Sequence, residues 1–470
     1  MKKKILILVS VGLAAVLVIV ALIMGLVVGP NMEREALLSK YPDRGVARIN
    51  IELNGVSLDE IKGGSKEEKY EGNKVTIIGE DEQQDEELLK DGKKEKVRKN
   101  EQVVGERDGV WEFGDVRIKG RGNGTWGPEK KPFQIKFKDK VDLFGLGKAR
   151  KWVLLTNGAD ATNLRTDVAF YLERILGMEY AFDGEFVELY IDGEYEGLYY
   201  LTHAVEVGKS SVDLKDPMGI LMELDNLYGW GEEYYETRNG DKMVVKGVVD
   251  KENTEAAVKG FLGDYNRFEK AVDKGDYEEI CRLVDVDSFA KYYLLSEFSV
   301  NPDAYWTSFF MYKDGDDDKI HAGPGWDFDL AFSNKEWGNW MGEEFYSPTK
   351  TMVRKSELMP KELYEEMGLT DDDGMDWHEW SLLLSQIMFN LMKVPEFQEE
   401  VGRAYTEKMQ GRENDLLKKI DRRVDEIKSA VEADGERWWN KDFWRNTDAM
   451  KEWISERYDY FDKTYGGEKD

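Results

Sequence analysis

The sequence predicts an α+β fold in which a strand-rich first half leads into a helix-rich second half, behind one hydrophobic N-terminal segment. Apolar and polar residues alternate over 46–54, as they do in a half-buried strand. From residue 253 onward, apolar residues recur at helical spacing, most clearly over 287–299 and across 380–463. This order of patterns indicates a small α+β region followed by a larger helical region.

The N-terminal segment has the length and the flanking charges of a membrane anchor. Residues 5–29 form an uncharged, strongly apolar run, which exceeds the roughly 20 residues that a membrane-spanning helix needs. No small-x-small cleavage site follows it, so we expect an uncleaved anchor, with a cleaved signal peptide as the alternative. The lysines within residues 1–4 should stay in the cytoplasm, and residues 30–470 should lie outside it.

The rest of the chain divides into regions by composition. We expect a juxtamembrane linker over 30–45 and an α+β region over 46–206. Residues 80–108 are a dense mixture of Glu, Asp, Lys and Gln, which indicates a solvated insertion within that region. Residues 207–345 contain two short acidic motifs, and residues 346–470 make up a C-terminal helical region.

Local patterns within the first half predict short strands and one helix. The helix carries apolar residues at helical spacing and stops at Gly177, a suitable C-cap. Asp192-Gly193 lies between two strand patterns and is a hairpin signal. The predicted helix covers 162–176, and the predicted strands cover 116–119, 133–138, 185–191, 197–202 and 219–224.

The composition narrows the chemistry that this chain of 470 residues can perform. Its formal net charge of -29 disfavours nucleic acid, whose phosphates would be repelled, and favours basic partners. The single cysteine, Cys281, excludes an intramolecular disulfide and a cysteine-based zinc site. His203, His321 and His378 lack metal-ligand spacing, which disfavours a histidine-dependent triad or a zinc hydrolase. Any chemistry should therefore use carboxylates, Lys and Arg.

Two acidic motifs have the spacing of a phosphoryl-transfer site. Ser308 follows Asp303 by five residues, and Asp327-Phe328-Asp329 comes after an acidic turn. In protein kinases, a catalytic-loop Asp precedes a metal-binding Asn by five residues, and a metal-binding Asp-Phe-Gly follows. If residues 327–329 form a strand, both carboxylates face one side, as a shared cation requires, while Phe328 enters the core. The alternative is a polar turn beside a buried acidic strand end.

A glycine-rich segment lies between two strand patterns and could approach a phosphate closely. Gly120, Gly122 and Gly124 are spaced by two, and glycines let backbone N–H groups come near an anion. No Gly-Lys-Ser or Gly-Lys-Thr follows, so the segment is not the loop of a P-loop NTPase. An ordinary tight turn is the alternative.

Basic residues around this segment are candidates for contact with phosphates. In kinases, a lysine of this kind is organised by a helix-borne partner. Arg165 and Glu173 lie on the predicted helix and could supply that partner, although we expect a surface ion pair from them. The candidate cations are Arg121, Lys131, Lys136 and Lys151.

Taken in order, these motifs resemble the spore coat protein H (CotH) kinase family. The resemblance covers roughly residues 46–345 and extends toward 437–438. It implies a divergent, two-lobed protein-kinase-like fold, with a strand-rich N-terminal lobe and a helical C-terminal lobe. It also implies transfer of the ATP γ-phosphate to protein Ser/Thr, with Mg²⁺ or Mn²⁺, at a cell surface or spore coat. The matching segments are 117–126, 130–137, 151–155, 160–165, 192–199, the helix leading into Asp303, and 326–329.

The resemblance assigns a role to each acidic residue. It implies that Asp303 is the catalytic-loop aspartate and Asp327 the metal-binding aspartate. Ser308 stands where a conventional kinase has Asn, and a hydroxyl is a weaker metal ligand, which Asp329 could offset. Two further departures are Gly124, in place of Ser, and His203, in place of Glu or Gln.

Two other functions remain open at this stage. A catalytically inactive kinase-like surface or spore-coat scaffold would fit Ser308 and a location where ATP is scarce. A glycan-active enzyme would pair two carboxylates with sugar-stacking tryptophans. For the kinase, we expect a basic, Ser-rich protein acceptor, since the enzyme is acidic. The tryptophans considered for sugar stacking are Trp326, Trp337, Trp340, Trp377 and Trp380.

Overall fold

A computed structural model gives the fold of most of the chain. It describes residues 37, 39–79, 109–226, 233–301, 303–334, 385–438 and 442–466. The predicted membrane anchor and the charged insertion lie outside these residues. Within the described ranges, no helix is long and apolar enough to cross a membrane.

The first seven strands close into a barrel, in the order β1-β2-β3-β4-β5-β7-β6. Strand β1 completes the closure, because it pairs antiparallel with β2 and parallel with β6. The observed fold is thus α+β, as expected, but its strand-rich part is a closed barrel rather than a clear kinase lobe. The strands are β1 Ala47–Glu52, β2 Tyr70–Ile78, β3 Val110–Gly120, β4 Phe133–Asp142, β5 Lys148–Leu155, β6 Gly184–Ile191 and β7 Glu194–His203.

Alternation along the strands separates the inside of the barrel from its outer face. Phe133, Ile135 and Phe137 of β4 are buried in the barrel core. Gln134 and Lys136 lie between them in sequence and are half-buried on the outer face. The period of two therefore places the charged residues of β4 outside, as the sequence predicted.

A second sheet of five strands, in the order β12-β11-β8-β10-β9, lies beyond the barrel. Its strand β8 is central and pairs with both β10 and β11. The two predicted strands of the Asp192-Gly193 hairpin correspond to β6 and β7, and the strand predicted at 219–224 corresponds to β8. The sheet consists of β8 Ile220–Leu224, β9 Tyr234–Glu236, β10 Lys242–Val248, β11 Phe309–Lys313 and β12 His321–Ala322.

Helices pack around this second sheet and against the barrel. Helix α2 begins at Arg165, three residues later than predicted, and ends at Leu176, where Gly177 caps it with φ 67°. The C-terminal helices share the main apolar core with α2 and α5. The helices are α1 Leu58–Gly63, α2 Arg165–Leu176, α3 Thr254–Lys274, α4 Tyr277–Leu283, α5 Val286–Ser299, α6 Ile387–Leu391, α7 Pro395–Ala404, α8 Glu413–Trp438 and α9 Phe443–Tyr465.

Buried charges attach the C-terminal helices to the rest of the protein. Asp167 of α2 is fully buried and accepts contacts from Lys419 (3.1 Å) and Arg423 (3.3 Å) of α8. Near the other end of α8, Asp434 accepts hydrogen bonds from Lys130 Nζ (2.7 Å) and from the backbone N–H of Leu198 (2.8 Å). Helix α8 therefore joins α2 to strand β7 and to the loop that precedes β4.

Candidate active site

The loop that carries Asp303 begins where helix α5 ends. The helix ends at Ser299, and the residue that caps it, Val300, has φ 47°. Arg457 of α9 donates to the last carbonyls of the helix, including that of Phe298 at 3.3 Å. Asn301 then makes two contacts. Its Oδ1 accepts from the Asp303 backbone N–H (3.1 Å), and its Nδ2 donates to the Asp327 carbonyl (3.1 Å). The Asn301 side chain is thus hydrogen-bonded to the backbone of both acidic motifs.

The second acidic motif does not form the strand that was considered for residues 327–329. Residues 323–328 have no regular secondary structure, and Asp327 has φ 66°. A side chain in this left-handed region costs conformational energy, so the surrounding structure must hold it there. Phe328 is buried, as predicted. Alternation alone cannot distinguish a strand from an irregular segment with one buried residue.

Helix α2 and its preceding loop hold this irregular segment in place. Arg165 Nε donates to the Ala331 carbonyl (2.8 Å), and Arg165 pairs with Asp160. Asn334 Nδ2 donates to the carbonyls of Ala159 (2.6 Å) and Asp329 (2.8 Å). The segment that carries Asp327 and Asp329 is therefore hydrogen-bonded to the 159–165 loop on its C-terminal side.

The acidic side chains lie close enough to influence one another. Burial raises the pKa of Asp329 well above its ordinary value, and the charges of Asp327, Asp303 and Asp160 raise it further. Burial also raises the pKa of Asp327, and the charge of Asp225 adds to that effect. The site is thus a concentrated region of negative charge, which disfavours full ionisation of its carboxyl groups.

Arg121 is the cation that faces this region. Its guanidinium lowers the pKa of Asp327, and the charges of Asp327 and Asp329 oppose the burial that lowers the pKa of Arg121. The guanidinium carbon lies 5.7 Å from the centre of the Trp326 ring. That ring packs on Phe170, with centroids 5.8 Å apart. The structure therefore brings the glycine-rich segment and the acidic motif together through Arg121.

The glycines of this segment are required by local packing. A Cβ at Gly120 would lie 2.5 Å from the Trp126 ring, and one at Gly122, where φ is 80°, would lie 2.0 Å from Thr125 Oγ1. Gly124 begins a short 3-10 turn. Lys66 Nζ donates to the Gly122 carbonyl at 2.7 Å. These contacts account for Gly120 and Gly122 as parts of a tight turn, so the glycines alone are not evidence of a phosphate site.

The candidate lysines have different surroundings. Lys131 donates to the carbonyls of Trp126 and Gly127 (3.1 Å to the latter), so it braces the glycine-rich turn. Lys151 pairs with Glu206. Neither lysine contacts the acidic motifs through any of these bonds.

Lys136 lies between two other cations on the outer face of the barrel. It pairs across the strands with Arg117 on β3 and with Lys151 on β5. Like charges directly opposite one another are destabilising. Arg117 is neutralised by Glu71, whereas Lys136 has no ion-pair partner in the part of the chain that the structure describes. It is the candidate lysine best able to accept an anionic group.

The two candidate residues on helix α2 are buried, so the surface ion pair expected from them was wrong. Arg165 binds Asp160 and the Ala331 carbonyl instead. Glu173 is fully buried, and its Oε1 would lie 2.5 Å from a Cβ added at Gly325. Burial raises the pKa of Glu173 well above its ordinary value. Glu173 therefore packs beneath the acidic motif, where its contacts are with backbone rather than with a candidate lysine.

Sequence reasoning missed two contributors to the site. Asp225 follows the last residue of β8 and is buried, and its charge reaches Asp327. Lys66 holds the glycine-rich turn from a separate loop. A carboxylate directly after a buried strand is a signal that could have identified Asp225. Nothing in the sequence around Lys66 points to the turn.

The residues available for metal binding are few. Within the described ranges, no group of three or more His, Cys, Asp or Glu side chains has the arrangement of a metal site. The side chain of Ser308 donates a hydrogen bond to the Asp327 carboxylate and lowers its pKa. A cation bound here would therefore be held mainly by the carboxylates of Asp327 and Asp329, with the Ser308 hydroxyl next to Asp327.

If the site transfers phosphoryl groups, as the motif spacing predicts, Ser308→Asn is expected to raise the metal-dependent rate about fivefold, which corresponds to about 1 kcal/mol of barrier. Ser308 has φ 56°, a conformation that Asn tolerates well, and an amide oxygen binds a hard cation better than a hydroxyl does. Ser308→Ala should lower transfer instead, since Asp327 loses a hydrogen bond. The measurement is initial rate against Mg²⁺ or Mn²⁺ concentration. Equal rates for all three proteins would show that Ser308 has no part in metal binding.

Trp326 is packed against the core rather than open for sugar stacking. Its ring contacts Phe170 and Phe182, with the Phe182 centroid at 5.5 Å, while the Arg121 guanidinium covers it. The other tryptophans considered for a glycan site lie outside the described residues. The described geometry therefore gives no support to a sugar-stacking surface at Trp326.

Comparison with known families gives one match, which includes both acidic motifs and the glycine-rich segment. A family model described as CotH kinase protein matches residues 116–461. The match begins later and ends later than the resemblance seen in the sequence motifs, and it includes the C-terminal helices. A search of curated proteins found no match to the chain.

Proposed function

The chain belongs to the CotH kinase protein family, and from that premise we propose that it is a protein kinase. The proposed reaction transfers the γ-phosphoryl group of ATP to a Ser or Thr hydroxyl of a protein. The observation that carries the proposal is the convergence of the two acidic motifs through Asn301, with Arg121 of the glycine-rich segment facing them.

Asp303 would orient the acceptor hydroxyl. It is half-buried in the loop after α5, and its charge reaches Asp329. A carboxylate there can accept a hydrogen bond from the attacking hydroxyl and hold it toward the phosphate. Asn301 fixes the backbone at Asp303, so the carboxylate keeps a constant position relative to Asp327.

The basic residues would bind the phosphates. Arg121 faces the carboxylates and is close enough to contact a phosphate held beside them, since a planar guanidinium binds phosphate oxygens in pairs. Lys136 lies three residue pairs along the β3–β4 ladder from the end of the glycine-rich segment, a distance of about 10 Å. It would meet a more distant part of the nucleotide or of its phosphate chain.

We propose that the acidic cluster binds a divalent cation. Neighbouring carboxyl groups raise the pKa of Asp327 and Asp329, and a bound cation would relieve this mutual repulsion. Mg²⁺ in kinases is held by one or two carboxylates together with phosphate oxygens and water. Asp327 and Asp329 would hold Mg²⁺ or Mn²⁺, with Ser308 as a weaker ligand. The ion would neutralise the charge that develops on the transferred phosphoryl group.

A helix follows the barrel strands next to the glycine-rich segment. That segment joins β3 to β4, β5 pairs antiparallel with β4, and helix α2 comes next in the chain. In protein kinases, a helix at this point carries the glutamate that pairs with a strand lysine. Here Glu173 packs on Gly325 and Lys151 pairs with Glu206. Formation of a lysine–glutamate pair would require a different arrangement of these side chains.

We further propose that residues 5–29 anchor the protein in a membrane, with the catalytic region outside the cytoplasm. The proposal rests on the hydrophobic run and the preceding lysines. The acceptor would be a basic, Ser-rich protein, because a chain with a net charge of -29 attracts cationic partners. Nucleic acid is not expected as a partner.

The proposal is tested by nucleotide binding to the fragment of residues 30–470. ATP with Mg²⁺ or Mn²⁺ is expected to raise the melting temperature, since a ligand at 100 times its Kd adds about 2.7 kcal/mol of stability. Labelled ATP should then label the fragment itself or a basic, Ser-rich protein. ATP without a divalent cation is the control, and it should shift melting much less.

An inactive scaffold is the second candidate function, and the bond between Ser308 and Asp327 is the observation that favours it. A hydroxyl already engaged with the metal-binding aspartate is a poor substitute for an amide ligand. No melting shift with millimolar nucleotide and any divalent cation would favour the scaffold over the kinase. Release of reducing sugar from cell-wall glycans, without phosphate incorporation, would instead indicate a glycan-active enzyme.

A further inference from the structure

A buried carboxylate outside the acidic motifs lies behind the Asp303 loop. Asp241 precedes strand β10 and is only 7% exposed. Its Oδ1 accepts a hydrogen bond from Asn226 Nδ2 (2.8 Å), and its Oδ2 accepts one from the Ser385 hydroxyl (2.6 Å). Both oxygens are therefore used, and they join two segments that are far apart in sequence.

Each of these two partners holds one carbonyl of the loop between Asp303 and Ser308. The backbone N–H of Asn226 donates to the Trp306 carbonyl at 2.7 Å, and that of Ser385 donates to the Tyr305 carbonyl at 3.0 Å. Tyr305 has φ 70°. A non-glycine residue keeps such a conformation only where its surroundings impose it. The two hydrogen bonds supply that constraint at consecutive residues.

Both polar atoms of the Asn226 side-chain amide are hydrogen-bonded. Its Nδ2 binds Asp241, and its Oδ1 accepts from the Lys242 backbone N–H at 2.7 Å. Asn226 directly follows Asp225, whose charge raises the pKa of Asp327. The same network therefore helps to position Asp225, whose charge affects Asp327.

We propose that Asp241 is a positioning residue for the catalytic loop, acting through Asn226 and Ser385. Asp241 aligns the two segments so that their N–H groups hold the carbonyls of Tyr305 and Trp306. The loop then presents Asp303 and Ser308 at a constant separation. The expected effect on catalysis rests on the proposed kinase function, whereas the effect on hydrogen bonding does not.

Asp241→Asn is the most informative change, because it alters the chemistry with little change in volume. The amide oxygen can still accept from Asn226 Nδ2, but the Ser385 hydroxyl must then accept from the amide NH2 instead of donating, and both bonds lose the strength that the carboxylate charge gives them. We expect the backbone amides of Asn226 and Ser385 to exchange hydrogen faster than in the wild type. Phosphoryl transfer at saturating ATP should fall about 10- to 100-fold, while ATP affinity changes by less than about twofold.

Ser385→Ala provides a second, milder variant in case Asp241→Asn does not fold. It removes one hydrogen bond and leaves the bond between Asp241 and Asn226 intact. Faster exchange is expected at Ser385 and little change at Asn226. Transfer should fall by less than in Asp241→Asn.

Glu188→Gln is the matched control for a general loss of stability. Glu188 is also fully buried, and it pairs with Arg44 at 2.8 Å on the barrel strand β6. Glu188→Gln should lower the melting temperature without faster exchange at Asn226 or Ser385. Its kcat, measured on folded protein, should stay near the wild-type value.

The exchange measurement separates failure of this inference from failure of the kinase proposal. Wild-type exchange at both amides in folded Asp241→Asn or Ser385→Ala protein would overturn the positioning role. A wild-type kcat in Asp241→Asn together with faster exchange would also overturn the positioning role. Catalysis by the loop would then not depend on Asp241. If the wild-type protein transfers no phosphate, faster exchange still supports the structural role of Asp241, and only the kinase proposal fails.

Discussion

Replacing Asp303 with alanine is expected to lower phosphoryl transfer about 10²–10⁴-fold, the usual effect of losing a positioned acid–base group. ATP binding should be nearly unchanged, because Asp303 would contact the acceptor hydroxyl rather than the nucleotide. The fold should also survive, since the Asp303 contact with Asn301 uses the backbone N–H and not the carboxylate. The measurements are kcat with a basic, Ser-rich acceptor and ATP affinity by titration.

Asp317→Ala is a suitable control for the Asp303 variant. Asp317 is exposed in the turn between β11 and β12, so its removal changes the net charge equally without touching the site. Its transfer rate should match the wild type. A wild-type rate in Asp303→Ala itself would show that Asp303 is not the catalytic-loop aspartate of a kinase.

Replacing Asp327 should weaken metal-dependent ATP binding and lower transfer together. Asp327 has φ 66°, and alanine is strained there whereas asparagine is not, so Asp327→Asn is the cleaner change. Asparagine keeps one oxygen but loses the negative charge of a direct ligand, and this loss is expected to weaken metal-dependent ATP binding by more than the roughly 10- to 100-fold that is typical of losing an outer-shell partner. Transfer should fall at least as far. Isothermal titration with and without Mg²⁺ or Mn²⁺ measures the first effect.

The pH dependence of metal binding gives an independent check on Asp327 and Asp329. Both carboxyl groups have a pKa raised by burial, so they retain protons in the metal-free site to higher pH than usual. A metal must displace those protons, and its affinity is therefore expected to rise as pH rises. This dependence should be weaker in Asp327→Asn.

Unchanged metal-dependent ATP affinity in Asp327→Asn would contradict the assignment of Asp327 as a ligand.

The sequence by itself determined the local elements and the chemistry available to the protein. Helix α2 is specified by its apolar spacing and by Gly177, which adopts the left-handed conformation of a C-cap. The hairpin at Asp192-Gly193 and the alternation of β4 are likewise local, because strand and turn patterns depend on adjacent residues. The spacing of Asp303, Ser308 and Asp327 could be seen without any coordinates.

Only the tertiary structure decided how the elements combine and which candidate residues meet. Barrel closure depends on parallel pairing of β1 with β6, which are about 140 residues apart, and no local pattern encodes that contact. The left-handed conformation of Asp327 and the burial of Glu173 likewise depend on packing by distant segments. A side chain can form hydrogen bonds only with groups that the folded chain brings close to it. Lys131 therefore binds the Trp126 carbonyl, Lys151 pairs with Glu206, and Arg121 faces the second acidic motif.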